Sequence, residues 1–383
     1  MRFEFATAGR VLFGNGIIRE FGQFITPGSR VFLVHGNDSA NADRVKQILE
    51  DTRCVVGPFV VHGEPTPEMV QTGVDFARSF DAGWVISVGG GSAIDTGKAI
   101  AGLITNPGDL INYLEVIGAG KPLVNPALPM IAIPTTAGTG SEVTRNAVLS
   151  VREKKIKVSL RSPFMLPRIA LVDPELTYSM PPSLTANTGM DAIAQVLEPF
   201  VSNRSNLLTD LFCQEGLTRA SRSLLKVYRD GNDVNGREDM AFTSLLGGFA
   251  LANAGLGAVH GFAASIGGMF DAAHGAICAK LLPTVVKYNV AALKKKEPEG
   301  QILAKYQTAA RLLTQDDHAS IEKGISWLEN LIEILQIPSL ASYGISEADI
   351  PLLVANAVSA SSMKANPIQL HEDELTRILF EAL

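Results

Sequence analysis

The chain has 383 residues, of which 46% are apolar and only 19% charged. That is enough apolar material for about two domains with large cores, and it excludes a disordered, fibrous or coiled-coil chain. Its 33 basic and 39 acidic side chains leave a net charge of −6, which argues against a nucleic-acid binder, since that needs a basic face.

The first residues, Met1-Arg2-Phe3-Glu4-Phe5, carry an acid and no apolar leader. The three cysteines are scattered and form no CxxC pair, so a reduced, cytoplasmic protein is expected. Residues 30–35 (RVFLVH) have strand character, residues 69–80 helical spacing, and residues 83–88 (GWVISV) strand character again. A helix is expected at 92–103 and a strand at 130–133. Buried strands alternating with helices indicate a parallel sheet, which binds ligands at the carboxyl ends of its strands. After Pro181-Pro182 the pattern turns wholly helical, over 184–202, 206–230, 237–254, from His260 onward, and over 302–313, 321–335 and 349–357. The stretch 240–270 has no charged residue, but its Gly and Ala content, with Asn253 and His260, marks a buried core helix rather than a membrane span. The expected organisation is an α/β domain over 1–180 and an all-helical domain over 181–383.

Two loops carry binding chemistry. Gly89-Gly90-Gly91-Ser92-Ala93-Ile94-Asp95-Thr96-Gly97-Lys98 follows a strand and opens a helix. Glycines let a phosphate approach the backbone, and the helix start offers free N–H groups. The segment matches neither GxGxxG, because of Ile94, nor the NTPase loop, because of Ser92 and Ala99. The plainer alternative is an ordinary turn capped by Ser92. A second loop after the strand at 130–133 offers the hydroxyls of Thr135, Thr136, Thr139, Ser141 and Thr144. Two such loops together suggest a dinucleotide crevice.

The helical half supplies metal-ligand chemistry. With six histidines and three cysteines, any site draws on His35, His62, His260, His274, His318, His371, Cys54, Cys213 and Cys278. Asp191 and Gln195, four residues apart, share a helix face. His260 and His274 would lie about 21 Å apart on one continuous helix. Gly267-Gly268 offers a break that would fold them together. Each histidine is otherwise a polar core residue.

Together these segments resemble the iron-containing (group III) alcohol dehydrogenase family. The similarity covers essentially the whole chain: Phe13-Gly14-Asn15-Gly16, the GGGSAIDTGK run from Gly89, PTTAGTGSEVT from Pro134, Val172-Asp173-Pro174-Glu175 and Gly189-Met190-Asp191-Ala192. The block from His260 to His274, Leu282-Pro283 with Asn289, and Asn366-Pro367 complete it. The resemblance implies a dinucleotide-binding α/β domain followed by an all-helical domain, with the site in the cleft between. It implies hydride transfer between NAD(P) and an alcohol or aldehyde carbon, with iron or zinc polarising the oxygen. Mapped onto this chain, the metal ligands fall on Asp191, Gln195, His260 and His274, with Asp191, His260 and His274 as the catalytic set.

Gln195 departs from the family, which places His there. Ala264 likewise stands where a further His is common. Three consequences are open: a metal held by Asp191, His260 and His274 with Gln195 as a weak fourth partner; a metal-free site resembling maleylacetate reductase, with a histidine as general acid; or a weakened member that binds cofactor with little turnover. A non-redox lyase resembling dehydroquinate synthase would need a more basic pocket. The resemblance also implies that an acidic residue closing a strand selects NAD, and Gly36 takes that place in Val34-His35-Gly36-Asn37-Asp38-Ser39. Glycine leaves room for a 2′-phosphate, which His35 or Ser39 could contact, so NADP is accepted and Gly36 and Asn37 join the cofactor-binding set; Asp38 keeps NAD open. Arg145 and Lys364 are candidates to meet an acidic substrate. The expected partners are a small-molecule alcohol or aldehyde and further copies of the chain, as a homodimer or larger homo-oligomer through the strand-like residues 3–13, with no nucleic acid and no membrane.

Overall fold

The structure, a computed structural model, describes residues 2–383. They form two compact units: an α/β unit of residues 6–136 and 140–179, and a helical unit of residues 2–5, 137–139 and 180–383.

The α/β unit runs β1 (Val11–Phe13), β2 (Arg30–His35), α1 (Ser39–Asp51), β3 (Val55–Val60), α2 (Pro67–Ser79), β4 (Trp84–Gly89), α3 (Gly91–Ile104), β5 (Met130–Pro134), β6 (Asn146–Val151), β7 (Ile156–Arg161) and β8 (Ile169–Val172). Six strands form a parallel sheet in the order β1-β8-β5-β4-β2-β3, and β6 and β7 pair antiparallel on their own. The central strands are almost wholly apolar because helices cover both faces, with Ser87 of β4 a buried exception. Phe32, Val34 and Val85 join Val70, Val74, Ile94 and Ile100 of α2 and α3. Val31, Leu33 and Ile86 turn the other way, onto Val45 and Leu49 of α1. From β2 the chain lays β3 on one side and β4 on the other, so the strand order reverses between β2 and β4. The ligand crevice of an open α/β sheet lies at that point.

The helical unit comprises α4 (Pro182–Val201), α5 (Leu207–Arg229), α6 (Val234–Ala254), α7 (Ala258–Met269), α8 (His274–Lys296), α9 (Gln301–Thr314), α10 (Ile321–Ile334), α11 (Ile350–Ser359) and α12 (Glu372–Ala382). Its single core is built on α4, α7 and α8. By length and composition α8 could cross a bilayer, but most of its apolar window is buried inside this unit, as a core helix requires.

Three expectations are corrected. The uncharged stretch is not one helix: α6 and α7 meet at 98°, through Gly255 at φ +75°, a left-handed conformation suited to glycine. The chain does fold back between the histidines, but at residues 270–273. Gly267 and Gly268 stay inside α7, whose last turn is closed by the Phe270 N–H donating to the Ile266 carbonyl at 2.8 Å. The strand-like run 3–13 forms a strand only at Val11–Phe13, because β8 offers it just three partners. Phe5 instead packs against Phe212 and Phe249.

Candidate metal centre and nucleotide turn

Helix α4 carries Asp191, Gln195 and Glu198 on one buried face, at positions i, i+4 and i+7. Helix α7 brings His260 to this face, and the first turn of α8 brings His274 and Cys278. The close approach of α8 to α4 needs Gly275, since a Cβ there would fall 2.1 Å from the Asn187 carbonyl oxygen. The result is a cluster of Asp191, His260, His274 and Cys278 whose ligand atoms all lie within 4.8 Å of one another. The imidazole rings of His260 and His274 are 5.5 Å apart, centre to centre.

The electrostatics of the cluster ask for a cation. Asp191 Oδ2 accepts from Gln195 Nε2 at 2.9 Å. Its Oδ1 is buried without a hydrogen-bond donor, 3.3 Å from His260 Nε2 and 3.7 Å from His274 Nε2. His260 Nδ1 lies 2.6 Å from Glu198 Oε2; donation of its proton there leaves the Nε2 lone pair facing the Asp191 oxygen. Burial works to raise the Asp191 carboxyl, but the positive charge of protonated His274 and His260 outweighs it and holds it below the usual carboxylate range, a charge that a bound cation would supply in place of their protons. Gln195 Oε1 is also buried without a partner.

Glu198 and Asn366 hold α7 in place. Gly257 has no side chain to cap this helix, so Glu198 Oε1 accepts from the Val259 N–H at 2.7 Å and Asn366 Oδ1 from the Ala258 N–H at 3.1 Å. Asn366 is itself locked by a reciprocal amide pair with Asn289. Because Glu198 orients His260, Glu198→Gln is expected to weaken divalent-metal affinity roughly ten- to hundredfold, as loss of an outer-shell carboxylate does. Titration of the metal-depleted protein with zinc checks this; unchanged affinity would exclude the orienting role.

In the α/β unit the glycine turn sits at the strand-order reversal. Gly89 has φ +150°, and a Cβ on it would crowd Ala93 at 2.8 Å and the Gly36 nitrogen at 3.3 Å. The Gly36 N–H donates to the Val88 carbonyl, joining the ends of β2 and β4. Gly90, not Ser92, is the N-cap of α3 and has no side chain to cap it, so the first N–H groups of the helix are open to an anion. A Cβ on Gly90 would meet the Thr136 side chain at 3.3 Å, which places the second loop beside the first. Thr135 is buried and donates its N–H to the Gly89 carbonyl at 3.0 Å, whereas Thr139 belongs to the helical unit. Nothing lies within 4 Å of a Cβ on Gly36. Asn37 pairs with His62 at 2.9 Å, and Asp38 spends its carboxylate on Asn41 and Ser179.

Asp95, Lys98, Ser141 and Thr144 are brought together, but with their polar atoms turned on one another. The Lys98 ammonium is fully buried and donates to the Ser141 carbonyl, Thr144 Oγ1 and the Asn146 carbonyl. It also pairs with Asp95 at 2.9 Å. Asp95 in turn accepts from Ser141 Oγ and from the Val148 N–H. Beside this clip Glu142 is buried, and burial pushes its carboxyl up to about 7 from an ordinary 4.5. A carboxyl that holds its proton more tightly when folded makes stability fall as pH rises from about 4.5 to about 7, here by up to about 3 kcal/mol. Glu142→Gln is therefore expected to match the parent in Tm at pH 4.5 and to exceed it at pH 8. An unchanged gap across that range would show that Glu142 does not set the dependence.

Residues 8–174 match the family pattern for iron-containing alcohol dehydrogenase, and residues 185–383 match the C-terminal pattern of the same family. The chain belongs to the iron-containing alcohol dehydrogenase family. It is 35% identical over 342 residues to alcohol dehydrogenase 4 of Saccharomyces cerevisiae, covering 88% of this chain and 86% of that one. It is 36% identical over 323 residues to 1,3-propanediol dehydrogenase of Klebsiella pneumoniae, covering 83% and 81%. The crystal structure of a 1,3-propanediol oxidoreductase superposes with a TM-score of 0.92 at 32% identity, each chain fully covered. This family member is therefore an enzyme, an oxidoreductase of the alcohol dehydrogenase type. Sequence reasoning had Cys278 only as one of nine candidate ligands and had passed over Glu198. The first stands four residues after His274 and the second seven after Asp191, so the helical spacing that joined Asp191 to Gln195 would have found both.

Proposed function

We propose that this enzyme transfers a hydride between NAD(P) and the carbon of a primary alcohol or aldehyde, with a divalent metal held by Asp191, His260 and His274. The observation that carries it is the buried Asp191 Oδ1, left without a donor and facing two imidazole nitrogens. A cation completes such a set, which favours a metal-holding site over the metal-free alternative. When bound, the ion supplies Lewis-acid polarisation of the substrate oxygen. The chain's own residues do the positioning: Glu198 fixes the His260 ring, and Asn366 and Asn289 fix the helix that carries it. At the strand-order reversal the open N–H groups of α3, with Gly89, Gly90, Gly91 and Ser92, hold the pyrophosphate, and Thr135, Thr136 and Thr139 line the second loop. Asp95, Lys98, Ser141 and Thr144 shape that loop rather than touch the nucleotide.

The open space at Gly36, and the engagement of Asp38 elsewhere, support acceptance of NADP. Gly36→Asp is expected to shift the kcat/KM ratio toward NAD at least about tenfold, since a carboxylate there would meet the 2′-phosphate. A ratio that does not move would remove Gly36 from the selectivity. Relatives of the chain include a methanol dehydrogenase and a long-chain-alcohol dehydrogenase, so the decisive experiment is a panel of primary alcohols and aldehydes. It is run with both nucleotides, on chelated and metal-reloaded protein. Absence of nucleotide turnover on every substrate would defeat the proposal, and turnover indifferent to chelation would defeat its metal part. The cytoplasm suits the three free, buried thiols. A homo-oligomer suits the exposed Leu207 and Leu211 on α5.

A further inference from the structure

We propose that Cys278 supplies the fourth protein ligand, so that the enzyme holds a zinc-class ion between Asp191, His260, His274 and Cys278, while Gln195 serves as a positioning residue. This rests on the metal-holding reading above and goes beyond it: it replaces the residue at 195 by a thiolate from another helix.

The distances support it. For bonds of about 2.0–2.1 Å to nitrogen or oxygen and about 2.3 Å to sulfur, a tetrahedron has edges of about 3.4 Å between light donors and about 3.6 Å between nitrogen and sulfur. Asp191 Oδ1 stands 3.3 and 3.7 Å from the two Nε2 atoms. Cys278 Sγ stands 3.9 Å from His260 Nε2 and 3.7 Å from His274 Nε2. Four of the six edges are thus close to those of one tetrahedron and the other two lie within 4.8 Å; a substrate oxygen would enter as a fifth ligand. Cys278 is fully buried, and its position one turn after His274 puts both on one face of α8.

Gln195 faces the same carboxylate differently. An ionised Asp191 only accepts, so the amide turns its Nε2 toward Oδ2, at 2.9 Å. Oδ2 is thereby occupied and Oδ1 is left for the ion. A neutral amide is in any case a poor partner for zinc beside a thiolate, and a thiolate with two imidazoles and a carboxylate selects zinc over harder ions. Binding costs the thiol its proton: Cys278–SH and the divalent ion give the metal thiolate and one proton released to solvent.

The test replaces the native ion with cobalt(II). The parent protein is expected to show an intense near-ultraviolet sulfur-to-cobalt charge-transfer band together with the weaker visible bands of the ion. Cys278→Ser should lose the first and keep the second, with zinc affinity down at least about a hundredfold, beyond the loss of an outer-shell partner. Gln195→Ala should keep the charge-transfer band. Zinc-edge X-ray absorption on the parent, which needs no variant to fold, should show one sulfur scatterer at about 2.3 Å. Visible bands without the charge-transfer band, and no sulfur at the zinc, would overturn the role of Cys278 while leaving the metal site intact. Failure to bind either ion stoichiometrically would overturn the metal reading itself, and this proposal with it.

Discussion

Asp191→Ala is expected to bind no divalent metal at stoichiometry and to lose at least about a thousandfold in kcat/KM with an alcohol, equivalent to about 4 kcal/mol of transition-state stabilisation. The substitution removes the one carboxylate that faces both His260 Nε2 and His274 Nε2. It also strands the Gln195 amide, whose Nε2 has Asp191 Oδ2 as acceptor and whose Oε1 is already without a donor. Metal analysis of the purified variant and steady-state rates measure the two effects separately. Full metal content with near-parental rates would remove Asp191 from the site. Asp191→Asn keeps the volume of the side chain but not its charge, and should fail nearly as badly if charge is what matters.

The second large effect is one of stability. Lys98→Met is expected to destabilise the α/β unit by about 3–5 kcal/mol, the usual result of leaving a buried ionic partner alone. For a unit of this size that lowers Tm by roughly 10 °C. Asp95 would keep only Ser141 Oγ and the Val148 N–H, and the acceptors of residues 141, 144 and 146 would lose their shared donor. Thermal denaturation without nucleotide reads this directly. If Lys98 instead bound phosphate, the variant would melt normally and show a raised KM for the nucleotide. That pair of results would make Lys98 a phosphate ligand instead.

Lys98 also illustrates how far the sequence could be followed. Its place at the end of a glycine-rich turn suggests a phosphate ligand, because an exposed lysine there would be one. Burial decides otherwise, and burial depends on where residues 141–146 return, which no local pattern encodes. The central strands were legible because strands covered on both faces are apolar almost without interruption. The strand at Ile169–Val172 was not, being too short to show any period, and of the strand-like run 3–13 only Val11–Phe13 pairs. That Asp191 and the two histidines would be drawn together was legible from residue type and family resemblance. The position of the bend between the histidines was not, since a glycine pair inside a well-packed helix costs less than it would in isolation. Cys278 was in view as one of nine candidate ligands, but a cysteine in an apolar helix looks like core until a second helix brings Asp191 against it.

The division of the chain has a consequence for its synthesis. Residues 6–136 and 140–179 complete one unit before any helix of the other has been made. Phe5 finds its partners Phe212 and Phe249 only in α5 and α6. On the ribosome, therefore, the first aromatic contact encoded is closed late. Phe5 must wait until α5 and α6 have been translated, and the helical unit takes in a segment made ahead of the α/β unit.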